Sequence, residues 1–406
     1  MDTMTDTIAP PDDTIPVLDL DPFAEPFLDD PYEEHERMRE AGPFFWLGRY
    51  GIYGSARHDE CAAVMKDFQT FCSSAGVGLA NFNKEKPFRP KSLVLETDPP
   101  EHTRARGVIG RALGRKSISV LYQNFEDYAD ILLDKLVDQG EIDGMADLAV
   151  DYPLKVFPDA VGLAEEGREN LLIYGNMLFN VFGPDNWLRQ ESVKDAEPVT
   201  AWVMEHCNRD AIAPSGFGDF IYQGVEDGEI NEQEAGMLVR SLLSAGVDTT
   251  ISAIGNALLA FAQHPDQWAL LHSDPSQAKW AFEECLRYES TVQTFYRTTA
   301  KPAEVSGVKM PADEKVVLFL GAANRDPRKW ENPETFDITR RPEGHLSFGT
   351  GIHRCVGKQV AQTEGEIILR KLAERVKALE LTGEPKRRLN NTIRVLDSLP
   401  LRLVPA

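Results

Sequence analysis

The segment Phe348-Gly349-Thr350-Gly351-Ile352-His353-Arg354-Cys355-Val356-Gly357 constrains this chain more than any other stretch of its 406 residues. It holds one cysteine in a tight loop between glycines, where the sulfur projects from exposed backbone amides. A thiolate in that setting can ligate haem iron, and amide N–H donors around it tune its charge and redox potential. A lone cysteine is otherwise most often a small buried hydrophobe. A chain that wraps a flat cofactor needs a large core, and 42% hydrophobic with 27% charged residues suits a soluble globular protein. Its length accommodates two ordinary domains or one large one.

The five cysteines, Cys61, Cys72, Cys207, Cys285 and Cys355, are scattered and without C-x-x-C spacing. Disulfide frameworks and zinc sites are therefore not expected, and a reducing cytoplasm is the expected home. Against 65 acidic side chains stand 43 basic ones, a net charge of -22, which argues against nucleic acid or anionic membrane as a general partner. Residues 1–18, rich in Asp, Thr and Pro, have neither a basic n-region nor an apolar h-region, so a flexible tail is expected rather than a signal peptide. A single domain is expected over 19–406. No run approaches the roughly 18 apolar residues of a membrane span.

Asp30 is expected to cap a helix that begins at Pro31, with Glu33 and Glu34 in its first turn. Phe44 to Tyr53 reads as a short hairpin and Asp59 to Asp67 as a helix. Ser73 to Pro90, rich in Gly, Pro and Asn, reads as a long functional loop. Helical patterns follow, for instance Tyr122 to Val137 and Arg168 to Phe179. The longest starts at Asn231, with Glu234 completing a capping box. It runs to His264, where Pro265 stops it: a central helix roughly 50 Å long at the usual rise. Strand patterns appear at Val305 to Met310 and Lys315 to Phe319, and Lys358 to Leu381 reads as a last helix. The expected class is mainly α with small β-sheets and no repeats.

The cysteine loop matches the Phe-Gly-x-Gly-x-His/Arg-x-Cys-x-Gly signature, and the chain resembles the cytochromes P450 of bacteria. The resemblance implies the P450 fold, with the long central helix crossing a buried haem b. It implies Cys355 as the axial thiolate, with Phe348, Gly349, His353 and Gly357 cradling the cofactor. Ala245-Gly246-Val247-Asp248-Thr249-Thr250 is similar to the P450 motif in which an acid–alcohol pair, here Asp248 and Thr249, delivers protons for dioxygen cleavage. The same motif sets Ala245 against the haem. Glu284 and Arg287 pair at i,i+3 on one helix face; the resemblance makes them the Glu-x-x-Arg pair, completed by Arg340 and structural in role. His102 and Arg106 share a face at i,i+4, and the resemblance sets them, with Arg297 and His353, on the haem propionates. Arg104, Arg106, Arg111, Arg115, Lys116, Arg354 and Lys358 form a basic cluster, read either as ordinary solvated helix faces or as a docking face for an acidic electron donor. No flavin or iron–sulfur motif occurs in the chain, so the implied donor is a separate [2Fe–2S] ferredoxin reduced by a flavoprotein.

For the substrate, Arg240, Ser244 and Asp248 recur at i,i+4,i+8 on one helix stripe. A cation and hydroxyls at one end of a cavity suit a flat, rigid anion about one aromatic ring long. Phe88-Arg89-Pro90-Lys91-Ser92, Tyr152 to Ala160, Arg240 to Thr250, Val292 to Phe295, Lys386 to Thr392 and Ser398-Leu399-Pro400 resemble bacterial P450s that oxidise para-substituted benzoates, such as 4-methoxybenzoate. That resemblance implies a carboxylate held by Arg89, Ser92, Ser241 and Ser244, assisted by Arg240, and a ring gripped by Leu95, Phe179, Phe182, Val292 and Phe295. Tyr296, Val395, Leu396 and Lys91 depart from it and leave longer acids such as cinnamates open. The expected reaction is O2-dependent O-demethylation of 4-methoxybenzoate to 4-hydroxybenzoate. A P450 for neutral aromatics, a peroxide-driven enzyme and a non-enzymatic haem sensor are the alternatives.

Overall fold

A computed structural model describes residues 8–406. Helices form about half of it, and four small sheets flank them. The expected Phe44–Tyr53 hairpin is the antiparallel pair Phe45–Leu47 and Ile52–Ser55. It joins a six-stranded sheet whose order is Val17–Leu18, Phe45–Leu47, Ile52–Ser55, Lys315–Phe319, Thr294–Thr299, Phe71–Cys72. Strand residues alternate between faces. On Thr294–Thr299, Phe295 and Arg297 therefore face the central cavity, while Tyr296 packs with Phe45 and Val317 behind it.

The expected tail boundary at residue 18 falls inside this structure. Val17 and Leu18 pair with Trp46 and Leu47, and Ile8 exchanges hydrogen bonds with Gly48 and Trp46. Residues 1–7 lie outside the described residues. The helix expected from Pro31 starts one residue later, at Tyr32, and Asp30 accepts from the Tyr32 amide. Glu33 and Glu34 occupy its first turn. The long loop runs from Ser73 to Pro100 without helix or strand.

The central helix is where sequence and structure differ most. The capping box at Asn231 and Glu234 is present, but the helix divides into Glu232–Ala245 and Asp248–Gln263. Gly246 and Val247 lie between. The physical reason is local: a Cβ at Gly246 would sit 2.4 Å from the Phe157 ring, so glycine admits that ring against the backbone. The Thr249 and Thr250 hydroxyls donate to the Ala245 and Gly246 carbonyls, competing with the helical amides there. The stretch Glu232–Gln263 is long and apolar enough to cross a membrane, yet its apolar window is 78% buried within the protein.

The last helix also ends early. It spans Lys358–Arg375, and Val376–Leu381 is a strand paired with Pro400–Pro405. Partner-strand pairing decides that segment over its helical pattern.

One buried ion pair ties the cysteine loop to this scaffold. Glu284 and Arg287 are both 0% exposed and joined by two 2.8 Å bonds. Arg340 completes the triad with its Nε 3.3 Å from Glu284. Arg287 also donates to the carbonyl of Asn324. The Asn324 side chain in turn accepts from the Leu346 amide and donates to the Ser347 hydroxyl, immediately before the loop. Removing one partner of a fully buried pair leaves an uncompensated charge. Arg287→Ala is expected to cost about 3–5 kcal/mol, read as a lowered denaturant midpoint in equilibrium unfolding; a midpoint within error of the parent would refute the role.

Candidate active site

The cysteine loop is shaped by two glycines with left-handed backbone, Gly349 at φ 62° and Gly351 at φ 72°. A Cβ at Gly351 would meet the Met65 carbonyl oxygen at 2.6 Å, so no other residue fits. The Cys355 amide donates to the Phe348 carbonyl at 2.8 Å and closes the loop. The surface that Cys355 exposes lines the central cavity. Burial pushes its thiol up; the Gly357 amide and the cations Arg106, Lys358 and Arg354 pull the other way. Behind the loop, Glu283 holds His345 at 2.7 Å and Lys358 at 3.6 Å. Lys358 in turn lies 5.0 Å above the Phe348 ring.

One continuous cavity reaches from the cysteine loop, past the central helix, to the side chains of Arg89 and Arg240. Phe348, Gly349, His353, Cys355 and Gly357 line it on the loop side, Ala245 and Thr249 on the central-helix side, and Arg106 and Arg297 at its edge.

Four cations expected to meet haem propionates gather here. His102 is 2% exposed, and neither ring nitrogen has a partner. Its ring lies 4.2 Å from that of His353, whose Nε2 is also unpartnered. Burial, followed by the charges of His353 and Arg106, lowers the His102 pKa to about 4. Arg297 is 3% exposed with only a backbone carbonyl as its hydrogen-bond partner, and burial lowers it to about 10. Arg106 donates to the Arg354 carbonyl. Buried imidazoles without hydrogen-bond partners, with the Arg297 and Arg106 guanidiniums beside a thiol that lines the cavity, are a donor set that fits haem and its two carboxylates.

Thr249 faces the cavity but Asp248 does not; the break at Gly246 and Val247 turns the acid off the stripe expected for Arg240 and Ser244. Asp248 is 2% exposed. Its Oδ1 lies 3.3 Å from Arg388 Nη2, and its Oδ2 has no partner. Burial raises its pKa, with Arg388 opposing.

The polar end of the cavity carries all five residues expected there. Arg89, Ser92, Arg240, Ser241 and Ser244 line it, and the Ser92 and Ser241 hydroxyls are 3.2 Å apart. Leu95, Phe179, Phe182, Val292 and Phe295 form its apolar walls. Arg89, however, is not a free cation: it is paired to buried Glu96 through bonds of 2.7 and 3.2 Å. The departures noted in the sequence stay out of the cavity. Tyr296, Val395 and Leu396 are buried in the core, and Lys91 turns to the Ser74 carbonyl.

Part of the basic cluster is neutralised. Arg104 pairs with Glu234, Arg111 with Glu229 and Lys358 with Glu283. Arg115, Lys116 and Arg354 are left exposed, without a salt bridge among the described residues. Sequence reasoning missed Glu96, Asp98, Asn324, Glu364 and Arg388. Asp98 accepts from the Ser73 and Ser74 amides and lies 3.8 Å from His353. Glu364 lines the cavity fully buried, both oxygens unpartnered, and burial raises its pKa well above the usual carboxylate range. The Lys358 helix pattern alone could have flagged Glu364, an acid on a buried face; the others lie in loops or hairpins without periodicity.

The family profile for Cytochrome P450 matches residues 163–402. A protein of Rhodopseudomonas palustris, Cytochrome p450 CYP199A2, is 52% identical over 97% of this chain and 95% of its own length. Cytochrome P450 107B1 of Saccharopolyspora erythraea is 34% identical over 95% of this chain and 98% of its own. Among solved structures, cytochrome P450 CREJ in complex with (4-ethylphenyl) dihydrogen phosphate superposes with a TM-score of 0.85 at 26% identity, covering 95% of this chain and 99% of that one.

The Glu283 cluster behind the cysteine loop generates a pH prediction. Burial would raise the Glu283 pKa, but His345, Lys358 and Gln362 hold it down at about 2, against 4.5 for a free glutamate. A depressed carboxylate contributes stability above its unfolded pKa and loses it as pH falls through the folded one. Glu283→Gln should therefore destabilise the fold near pH 7 by on the order of 3 kcal/mol. In unfolding curves the gap from the parent should close as pH falls from 4.5 toward 2.

Proposed function

This chain belongs to the cytochrome P450 family, and from that premise we propose that it oxidises the para substituent of aromatic carboxylic acids. O-demethylation of 4-methoxybenzoate to 4-hydroxybenzoate and formaldehyde is the representative reaction. As a family member it is a haem-thiolate monooxygenase with Cys355 as the iron ligand, using dioxygen and electrons from redox partners. The observation that carries the substrate reading is the end-to-end polarity of the cavity, with Arg240 and three serines at one end and phenylalanines along the walls. A neutral aromatic would leave the buried Arg240 guanidinium without a counter-ion. The bound (4-ethylphenyl) dihydrogen phosphate of the CREJ structure, a para-substituted aromatic anion in the same fold, supports the same class.

When bound, haem supplies the reduction and cleavage of dioxygen. The protein supplies position and protons. Ser92, Ser241, Ser244 and Arg240 anchor the carboxylate, while Leu95, Phe179, Phe182, Val292 and Phe295 hold the ring in one plane and exclude water. Fixing both ends presents the para group alone to the reacting centre. Asp248 takes up the proton on Oδ2 and delivers it when its side chain turns from Arg388 toward Thr249; Arg388, 35% exposed, holds the carboxyl between turns. The Thr249 hydroxyl, bonded to the Ala245 carbonyl at 2.6 Å, passes the proton on by turning from that carbonyl toward the cavity. Electrons come from a [2Fe–2S] ferredoxin, reduced by a flavoprotein, docking on the face of Arg115, Lys116 and Arg354. The free cysteines suit a cytoplasmic setting.

Titration with para-substituted benzoates and cinnamates should shift the Soret band, with 4-methoxybenzoate among the tightest. Arg240→Gln should weaken its binding by roughly 10- to 100-fold, as the loss of a charge-assisted hydrogen bond implies. Unchanged affinity would remove the carboxylate reading. Thr249→Ala should bind normally yet release formaldehyde at roughly a hundredth of the parent's yield per NADH, the low end of the 10²–10⁴-fold range of proton-transfer catalysis. Fully coupled turnover would reassign the proton route.

A further inference from the structure

We propose that Glu96 sets the charge selectivity of the substrate site, leaving it one net positive charge and so favouring singly charged carboxylates over doubly charged aryl phosphates. The inference deepens the carboxylate reading above and rests on it.

Glu96 is 1% exposed, and its hydrogen bonds all point to the polar end of the cavity. Its carboxylate takes a fork of two bonds from Arg89, at 2.7 and 3.2 Å, the geometry in which guanidinium and carboxylate bind most firmly. It also accepts from the Ser92 amide at 2.8 Å, and its own amide donates to the Ser92 carbonyl at 3.0 Å. Glu96 thus fixes at once the cation and the serine expected to meet the substrate.

Charge is the sharper consequence. Arg240, 4% exposed, donates to the carbonyls of Pro90 and Lys91 and makes no ion pair among the described residues. Arg89 donates to the same Pro90 carbonyl, so the two guanidiniums converge on one oxygen. Burial lowers the Arg240 pKa; Arg89 adds to the lowering, while Tyr174 and Glu96 oppose it. Tyr174 is a neutral hydroxyl whose pKa burial raises, and Lys91 is turned to Ser74. Two guanidiniums and one carboxylate therefore leave one positive charge at this end. A benzoate completes neutrality. An aryl phosphate, whose second pKa is about 6, brings a second negative charge that the site does not match, and an uncompensated charge out of water is costly.

The test titrates holoenzyme at neutral pH with 4-methoxybenzoate, 4-ethylphenyl phosphate and 4-methoxybenzamide, read by the Soret shift. Glutamine keeps the shape of Glu96 and an acceptor for Ser92. Glu96→Gln should therefore lower the ratio of phosphate to benzoate dissociation constants at least tenfold, and Glu96→Asp should leave it within about threefold of the parent. The double variant Arg89→Gln/Glu96→Gln, which restores the single net charge, should return the ratio toward the parent value. Arg89→Gln alone, which does not depend on Glu96→Gln folding, should raise the ratio and improve the benzamide relative to benzoate. An unchanged ratio in Glu96→Gln overturns the proposal, and so does an equal shift in Glu96→Asp, which would make the effect one of position. If Glu96→Gln fails to fold, an unchanged ratio in Arg89→Gln overturns it instead. Failure of the underlying reading looks different: the parent enzyme itself would bind no benzoate.

Discussion

Everything at the iron end of this molecule hangs on an ion pair that never meets water. Glu284 and Arg287, fully enclosed, would each be ruinous alone. Paired with one another and with Arg340, and with the spare guanidinium protons spent on the carbonyls of Asn324, Pro333 and Thr335, they become a rigid node. A buried pair seldom adds net stability over apolar packing. Its use here is geometric: it fixes Asn324, and Asn324 fixes the strand of backbone that turns into the cysteine loop. The thiol is presented to the cavity at one angle because a charge elsewhere has nowhere else to go.

The opposite end of the cavity applies the same principle with the balance left open. At Glu284 the surplus cation, Arg340, is met by the carbonyls of Glu331 and Asn332 and reaches the surface. At Arg89, Glu96 and Arg240 the surplus charge lies against the cavity and is left for a ligand. His102 and Arg297 repeat the pattern at the cofactor's edge, as buried groups with no side-chain hydrogen-bond partner among the described residues. In each case the protein has accepted the cost of burying a group whose partner comes from outside the chain.

How much of this was legible beforehand depended on whether a signal was periodic, local or neither. The Asn231 capping box and the Phe45–Leu47/Ile52–Ser55 hairpin are local, and they stood where the residues put them. The ten expected substrate contacts all reach the cavity, because resemblance transfers which side chains converge even where periodicity is silent. The break at Gly246 was half visible: glycine and two threonines weaken a helix on paper, but only the Phe157 ring beneath shows why it divides. Val376–Leu381 passed for helix because nothing near it in sequence announces Pro400–Pro405, its partner strand. Glu96 was invisible for a plainer reason. A carboxylate in an aperiodic loop has no signature until its arginine is seen turned toward it.

The strand Thr294–Thr299 carries Phe295 and Arg297 on one face, with Tyr296 turned behind. The ring grip and the cofactor anchor are thus consecutive teeth of one pleat. That couples two properties which selection would otherwise tune separately. Exchanging Phe295 for another side chain reshapes the pocket and leaves the anchor alone. Inserting or deleting a single residue would swing both teeth into the core and bring Tyr296 into the void. Along this strand, new substrate ranges are open to evolution by substitution and closed to it by changes of length. In the long Ser73–Pro100 loop, with no pleat to keep in register, insertions can be tried outside the Arg89–Glu96 stretch that holds the polar end of the cavity.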